Sequence, residues 1–154
     1  MKSTFVLDES AIHCAAIGED ERVQDYPSAP SLLSDVASNC HALGFSNELW
    51  RKTLSRLNSL RDSGAFVNPV FGRWSVLVLN PEKFVFVEPQ PIEVEQGIPE
   101  DDWFLVRLSS HLQAILVTTD NRLTAILAGN PVALQHHAQA AHRPEGALPY
   151  AGPQ

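Results

Sequence analysis

Two short apolar runs of β-type residues in this chain each lead to a carboxylate: Phe5-Val6-Leu7-Asp8, and Ile115-Leu116-Val117-Thr118-Thr119-Asp120. A third acidic group, Glu100-Asp101-Asp102, stands immediately before an amphipathic stretch. In a parallel α/β sheet the ends of the strands and the starts of the following helices meet at one edge, which is where ligands bind. Carboxylates gathered at such an edge repel one another unless a cation neutralises them. Hard divalent ions such as Mg²⁺ take oxygen ligands and use few protein carboxylates. The arrangement therefore predicts an α/β fold with a metal site assembled from distant parts of the chain.

The rest of the sequence is consistent with that frame. Its 154 residues suffice for one domain with a real core, and 44% are hydrophobic against 19% charged, an ordinary balance for a globular protein. No apolar run approaches the roughly 20 residues that cross a bilayer. The opening Met1-Lys2-Ser3-Thr4-Phe5 is not a secretory leader by pattern. The expectation is a cytoplasmic protein without a membrane partner. Cys14 and Cys40 lack CxxC spacing and read as reduced core thiols. Net charge is −7 with only 11 Lys and Arg, so any phosphate-binding surface has to be local.

Along the chain, residues 4–7 read as a buried strand and 10–17 as a short helix ended by Gly18. A polar loop over 19–30 leads to a helix capped by Ser31, with Leu33, Val36, Ala37 and Cys40 on its apolar stripe. Residues 43–45 form a second strand. Ser46 then caps a longer helix that turns Leu49, Trp50, Thr53, Leu54, Leu57 and Leu60 inward and stops at Asp62-Ser63-Gly64. Residues 75–79 and 84–88, joined by Asn80-Pro81-Glu82-Lys83, predict a β-hairpin insertion. Pro99 opens a helix carrying Phe104, Leu105, Leu108 and Leu112, followed by a strand at 115–118. Helices are expected over 122–128 and from Asn130-Pro131 to about 142. Strands alternating with helices give a single compact α/β domain over residues 1–142 with a mainly parallel central sheet flanked by helices, and a flexible tail over 143–154.

The residues also admit simpler readings. Asp101 and Asp102 suit a helix N-terminus through the macrodipole alone, and Asp120-Asn121 suits a turn after a strand. Glu48, Lys52 and Arg56 recur at i, i+4 and i+8. They form either a solvated stripe, with a Glu–Lys pair worth about 0.2–0.5 kcal/mol, or a phosphate-contacting face together with Arg51. Arg107 and Arg122 are further basic candidates. The histidines lack zinc spacing, and GxSxG is absent. Trp50, Trp74 and Trp103 are candidates for base stacking if exposed, and for core if not.

Val6-Leu7-Asp8-Glu9-Ser10, then Asp101-Asp102-Trp103-Phe104-Leu105 leading through one helix to Ile115-Leu116-Val117-Thr118-Thr119-Asp120, resembles the PIN-domain family. The segment from Ser34-Asp35-Val36 to Ser46-Asn47-Glu48-Leu49 is similar to that family's second helix, short strand and third helix, so the resemblance covers roughly residues 4–130. It implies a PIN-like fold and a Mg²⁺- or Mn²⁺-dependent endoribonuclease, with RNA as substrate. In toxin-type members it further implies an antitoxin protein as partner, and such domains commonly form homodimers.

Carried over by position, Asp8, Asp101 and Asp120 match three acidic residues of the family's site. The Phe104-Leu105 pair sets a register that favours Asp101 over Asp102. Ser10 matches a small polar position near the metal and Thr118 the strand-end threonine. Lys52 and Arg56 would touch substrate. The family's remaining acid, expected six residues after Ser46, is replaced by Lys52. Glu48 and Asp35 are the possible substitutes for it, and Asp102 is a weaker metal candidate beside Asp101. That departure keeps a second function open, a catalytically degenerate PIN-like binding or assembly module. A small-molecule phosphatase on a similar sheet is a third reading, since fold does not fix function.

Overall fold

The computed structural model of the chain describes residues 3–17, 33–34, 36–64, 74, 77–92, 97–128 and 139–142. Strand β1 (Thr4–Leu7) is followed by helix α1 (Glu9–Ile17), β2 (Ala42–Phe45) and the long helix α2 (Asn47–Asp62). Then come β3 (Phe84–Phe86), a single 3-10 turn (Glu100–Asp102), α3 (Trp103–Leu112), β4 (Ile115–Val117), α4 (Asn121–Ala128) and β5 (Gln139–His142). The strands form one sheet in the order β3-β2-β1-β4-β5, and every pairing is parallel.

Parallel pairing explains the near-continuous apolar runs of β1, β2 and β4, which are largely buried, while Phe86 of β3 is exposed. Alternation along β1 and β2 sends Val6 and Gly44 to one face, where Leu112 of α3 lies over Gly44. Phe45 points to the other face and meets Trp50 of α2 edge-to-face at 5.4 Å. The core joins Phe5, Leu43 and Leu116 of the sheet to Ile12, Leu49, Leu57, Leu105, Leu108 and Leu123 of the helices, all buried.

Local signals set several element ends as the residues predict. The Ser46 hydroxyl accepts from the Leu49 N–H at 3.3 Å and caps α2. Ser63 and Gly64, the latter at φ +83°, end that helix. Gln113 at φ 50° ends α3. Along α2, Leu49, Thr53, Leu57 and Leu60 are buried, whereas Leu54 is exposed, contrary to its expected inward stripe.

Three expectations are corrected by the tertiary structure. The β-hairpin does not form: residues 77–79 are helical, and β3 pairs parallel with β2 through Leu43↔Phe84 and Phe45↔Phe86. A short apolar run cannot distinguish strand from buried helix by periodicity, and of the described residues 77–79 only Leu77 is buried. Residues 139–142 lie in β5 rather than at the end of a helix, because the free side of β4 pairs with them. Cys40 is exposed at the end of its helical turn, not in the core; the side chain of Cys14, Ser31 and the tail over 143–154 lie outside the described residues. Trp74 is buried against Phe45 and Trp50 half-buried against Phe84, so both serve the core. Among the described residues no helix is long and apolar enough to cross a membrane.

Candidate active site at the switch between β1 and β4

The strand order reverses at β1. The chain first builds outward through β2 and β3, then returns to place β4 on β1's other side. In doubly wound sheets the loops leaving two strands at such a reversal run in opposite directions and open a crevice beyond the carboxyl ends. β1 and β4 are the two strands at this reversal, in the register Leu7↔Val117. Asp8 follows β1 directly, its N–H bonded to the Val117 carbonyl at 2.9 Å, and Thr118-Thr119-Asp120 follow β4.

Asp8 is only 9% exposed. Its Oδ2 accepts from Thr118 Oγ1 at 2.8 Å and from Ser10 Oγ at 3.2 Å. Burial pushes the Asp8 carboxyl above its ordinary range; the two hydroxyls and the Glu9 N–H oppose that, and the Asp120 charge adds to it. Desolvation wins. Thr118 and Ser10 also accept in turn, from the Asp120 N–H at 3.0 Å and the Thr119 N–H at 3.3 Å. Each hydroxyl thus ties the end of β1 to the loop after β4. Asp120 Oδ1 accepts from the N–H groups of Arg122 and Leu123 at 2.9 and 3.2 Å and so caps α4.

The third carboxylate arrives from the 3-10 turn. Asp102 has a side chain 15% exposed, and its carboxyl is raised by burial first, then by the charges of Asp120 and Asp8, with Arg122 opposing. Asp101 points outward and is exposed. The structure therefore turns Asp102, not Asp101, toward Asp8 and Asp120. The physical reason is local. Residues 100–102 wind as a 3-10 turn, with the Asp102 N–H on the Pro99 carbonyl at 2.9 Å, and that turn advances by three residues per turn rather than 3.6. The register set by Phe104-Leu105 favours Asp101, whereas Asp101 is exposed and Asp102 half-buried in the structure. Trp103 fixes the junction by donating from Nε1 to the Ile98 carbonyl at 2.8 Å.

Basic groups flank these acids. Lys52 of α2 lies over the Phe104 ring, 4.6 Å from its centroid, two residues beyond Asp102. Arg56 pairs with Glu9 at 3.8 Å, next to Asp8. Arg122 Nη2 lies 3.9 Å from Asp102 Oδ2. Arg107 stacks on Trp103. Glu48 is exposed in the first turn of α2, and nothing brings it to the three aspartates. Asp35 lies outside the described residues.

Among the described residues no three His, Cys, Asp or Glu side chains are arranged to hold a metal ion directly. The chemistry of the donors nevertheless suits a hard cation. Two carboxylates are raised in part by their neighbours' charge, and the buried Asp102 Oδ2 makes no hydrogen bond. Mg²⁺ keeps several waters and needs only one or two carboxylates in direct contact, so full convergence of three ligands is not required. No protein-family model matches the chain, and no curated protein is detectably similar to it.

Proposed function

We propose that this protein is a Mg²⁺- or Mn²⁺-dependent endoribonuclease with a PIN-like fold, of the toxin or RNA-processing type. The reading rests on one observation above all: Asp8 and Asp120 follow the two switch strands of a parallel sheet, and the charges of both bear on the Asp102 carboxyl. Asp8, Asp102 and Asp120 would hold the cation, directly or through water. A divalent cation there supplies Lewis-acid polarisation of a phosphate oxygen and a water of lowered pKa.

The chain's own residues do the rest. Ser10 and Thr118 hold the Asp8 carboxylate in one orientation from two sides. Asp120 is held through its backbone to Thr118 and through its side chain to the start of α4. In the cation-free protein Asp8 and Asp102 keep their protons to higher pH than ordinary aspartates, so cation binding displaces protons and strengthens as pH rises. Lys52, Arg56 and Arg122 supply the local positive charge that an RNA backbone needs near an otherwise acidic protein.

Calorimetric titration with Mn²⁺, run beside a single-stranded RNA cleavage assay, tests the proposal. Asp8→Asn and Asp120→Asn should each lose both binding and cleavage while retaining the wild-type circular dichroism spectrum. Retained cleavage in both variants would sink it.

A second reading, a binding or assembly module on a degenerate site, is favoured by Lys52 beside Phe104 and by the lack of direct three-ligand convergence among the described residues. It expects no cleavage by wild type with either ion, and tighter Mn²⁺ binding in Lys52→Glu. An antitoxin or a second copy of the chain belongs to either reading as a partner for the domain's surface.

A further inference from the structure

Arg122 is placed against the usual preference of its position. It lies in the first turn of α4, where the helix dipole disfavours a cation. Its backbone N–H is bound by Asp120 Oδ1, yet its side chain is 68% exposed and reaches back to Asp102. The contact is loose. At 3.9 Å it is an ion pair too long to be a hydrogen bond, and Asp102 Oδ2, though buried, has no hydrogen-bond partner. A guanidinium normally satisfies a carboxylate with two short, parallel bonds. Here it stands near a buried carboxylate oxygen that lacks a hydrogen bond and does not close on it. Its base is anchored and its head is solvated.

We propose that Arg122 is a built-in counter-cation of the carboxylate crevice, resting on Asp102 in the cation-free protein and moving to a substrate phosphate when a divalent cation takes Asp102. The inference rests on the nuclease reading of the same site and adds a residue and a coupling to it. Cation and RNA should bind with positive linkage, since the cation releases Arg122 to the phosphate and the phosphate draws Arg122 off Asp102, and linkage is reciprocal. Arg122 is in this sense a substrate-positioning residue.

The test measures binding rather than turnover. Mn²⁺ affinity is measured by calorimetry, and the affinity of a fluorescein-labelled single-stranded RNA by anisotropy with Ca²⁺ or with EDTA, for wild type, Arg122→Gln and Arg122→Lys. Arg122→Gln should bind Mn²⁺ roughly 5-fold more tightly, the equivalent of one unit-charge contact at about 4 Å in a water-like dielectric. With Ca²⁺ present, its salt dependence for RNA should be shallower than that of wild type by about 0.7 in log–log slope, the loss of one single-strand phosphate contact. With EDTA the two slopes should coincide. Arg122→Lys should restore the wild-type slope.

Equal slopes in wild type and Arg122→Gln under both conditions would overturn the inference, as would a slope difference already present in EDTA. If wild type binds Mn²⁺ and cleaves RNA while Arg122→Gln changes neither affinity nor slope, the inference fails and the nuclease reading stands. If wild type binds Mn²⁺, and Arg122→Gln binds it more tightly and carries the slope change, but wild type cleaves no RNA, the counter-cation role holds and the active-nuclease reading fails. If neither protein binds Mn²⁺, both are wrong.

Discussion

The two halves of the sheet put polar residues at the same carboxyl edge and use them in opposite ways. On the β2–β3 side, Ser46 caps α2 through the Leu49 N–H, and Glu88 accepts from the Asn47 N–H at 2.6 Å. Each polar group there meets a backbone donor of the helix that follows β2. Beneath them Phe45, Trp50, Trp74 and Phe84 pack ring against ring, with the Phe45–Phe84 centroids 4.9 Å apart. On the β1–β4 side, Asp8 and Asp102 face other carboxylates, and both are raised by burial and by that company. One side is arranged for stability; the other retains repulsion that a cation would relieve. A strand-end acid points to function when its charge bears on other acids, as that of Asp120 does even though its Oδ1 also caps α4.

The largest expected effect tests the structural side. Phe45→Ala removes a buried ring from the aromatic cluster and should cost about 3–5 kcal/mol in urea denaturation. A loss below about 1 kcal/mol would mean that the cluster is not what holds β2 and β3 together.

Asp8→Asn separates the two sides most sharply. A raised folded pKa contributes stability that is fully present below the unfolded value of 3.8 and is lost as pH rises through the folded value. The wild type should therefore lose stability relative to Asp8→Asn as pH rises above about 4, levelling once Asp8 is ionised. Asp102 still titrates in the variant, less strongly because Asp8 is among the charges that raise it. Denaturation midpoints with EDTA across that range give the readout, and parallel profiles for the two proteins would remove the repulsion from the account.

Between the sides lies Gly44, where an added Cβ would stand 2.4 Å from Leu112 Cδ1. Gly44→Ala should destabilise by about 1–3 kcal/mol, the usual range for overpacking, and a Leu112→Ala background should recover part of it. An unchanged midpoint would show that the Leu112 side chain rotates away freely. The smallest effect belongs to the caps. Ser46→Ala should cost about 1 kcal/mol and leave Mn²⁺ binding unchanged; a change in Mn²⁺ affinity would show that the two halves of the edge are not independent.

Several of these features are legible in the residues themselves. The apolar runs at 4–7 and 115–117, each leading to a carboxylate, read as buried strands, and the capping serine at 46 and the Ser63-Gly64 stop mark α2 by local chemistry alone. Asp8 and Asp120 follow from those strands, since a residue after a parallel strand has to lie at the carboxyl edge. Residues 77–79 were less tractable, because three apolar residues pack equally well as helix or strand until a neighbour is chosen for them. The same holds for 139–142, whose strand identity comes from the open side of β4.

The sequence by itself determined an alternating α/β chain with carboxylates at two strand ends and a third acidic group before a helix. Short-range propensity, capping and apolar patterning are enough for that, because each acts within a few residues. Only the tertiary structure decided the strand order that makes β1 and β4 the switch strands. It also decided the 3-10 winding that turns Asp102 inward in place of Asp101, and the return of Arg122 onto Asp102. These depend on how segments about a hundred residues apart in the chain meet, and on about a sixth of a turn's difference in local winding, neither of which a one-dimensional pattern of residue types encodes.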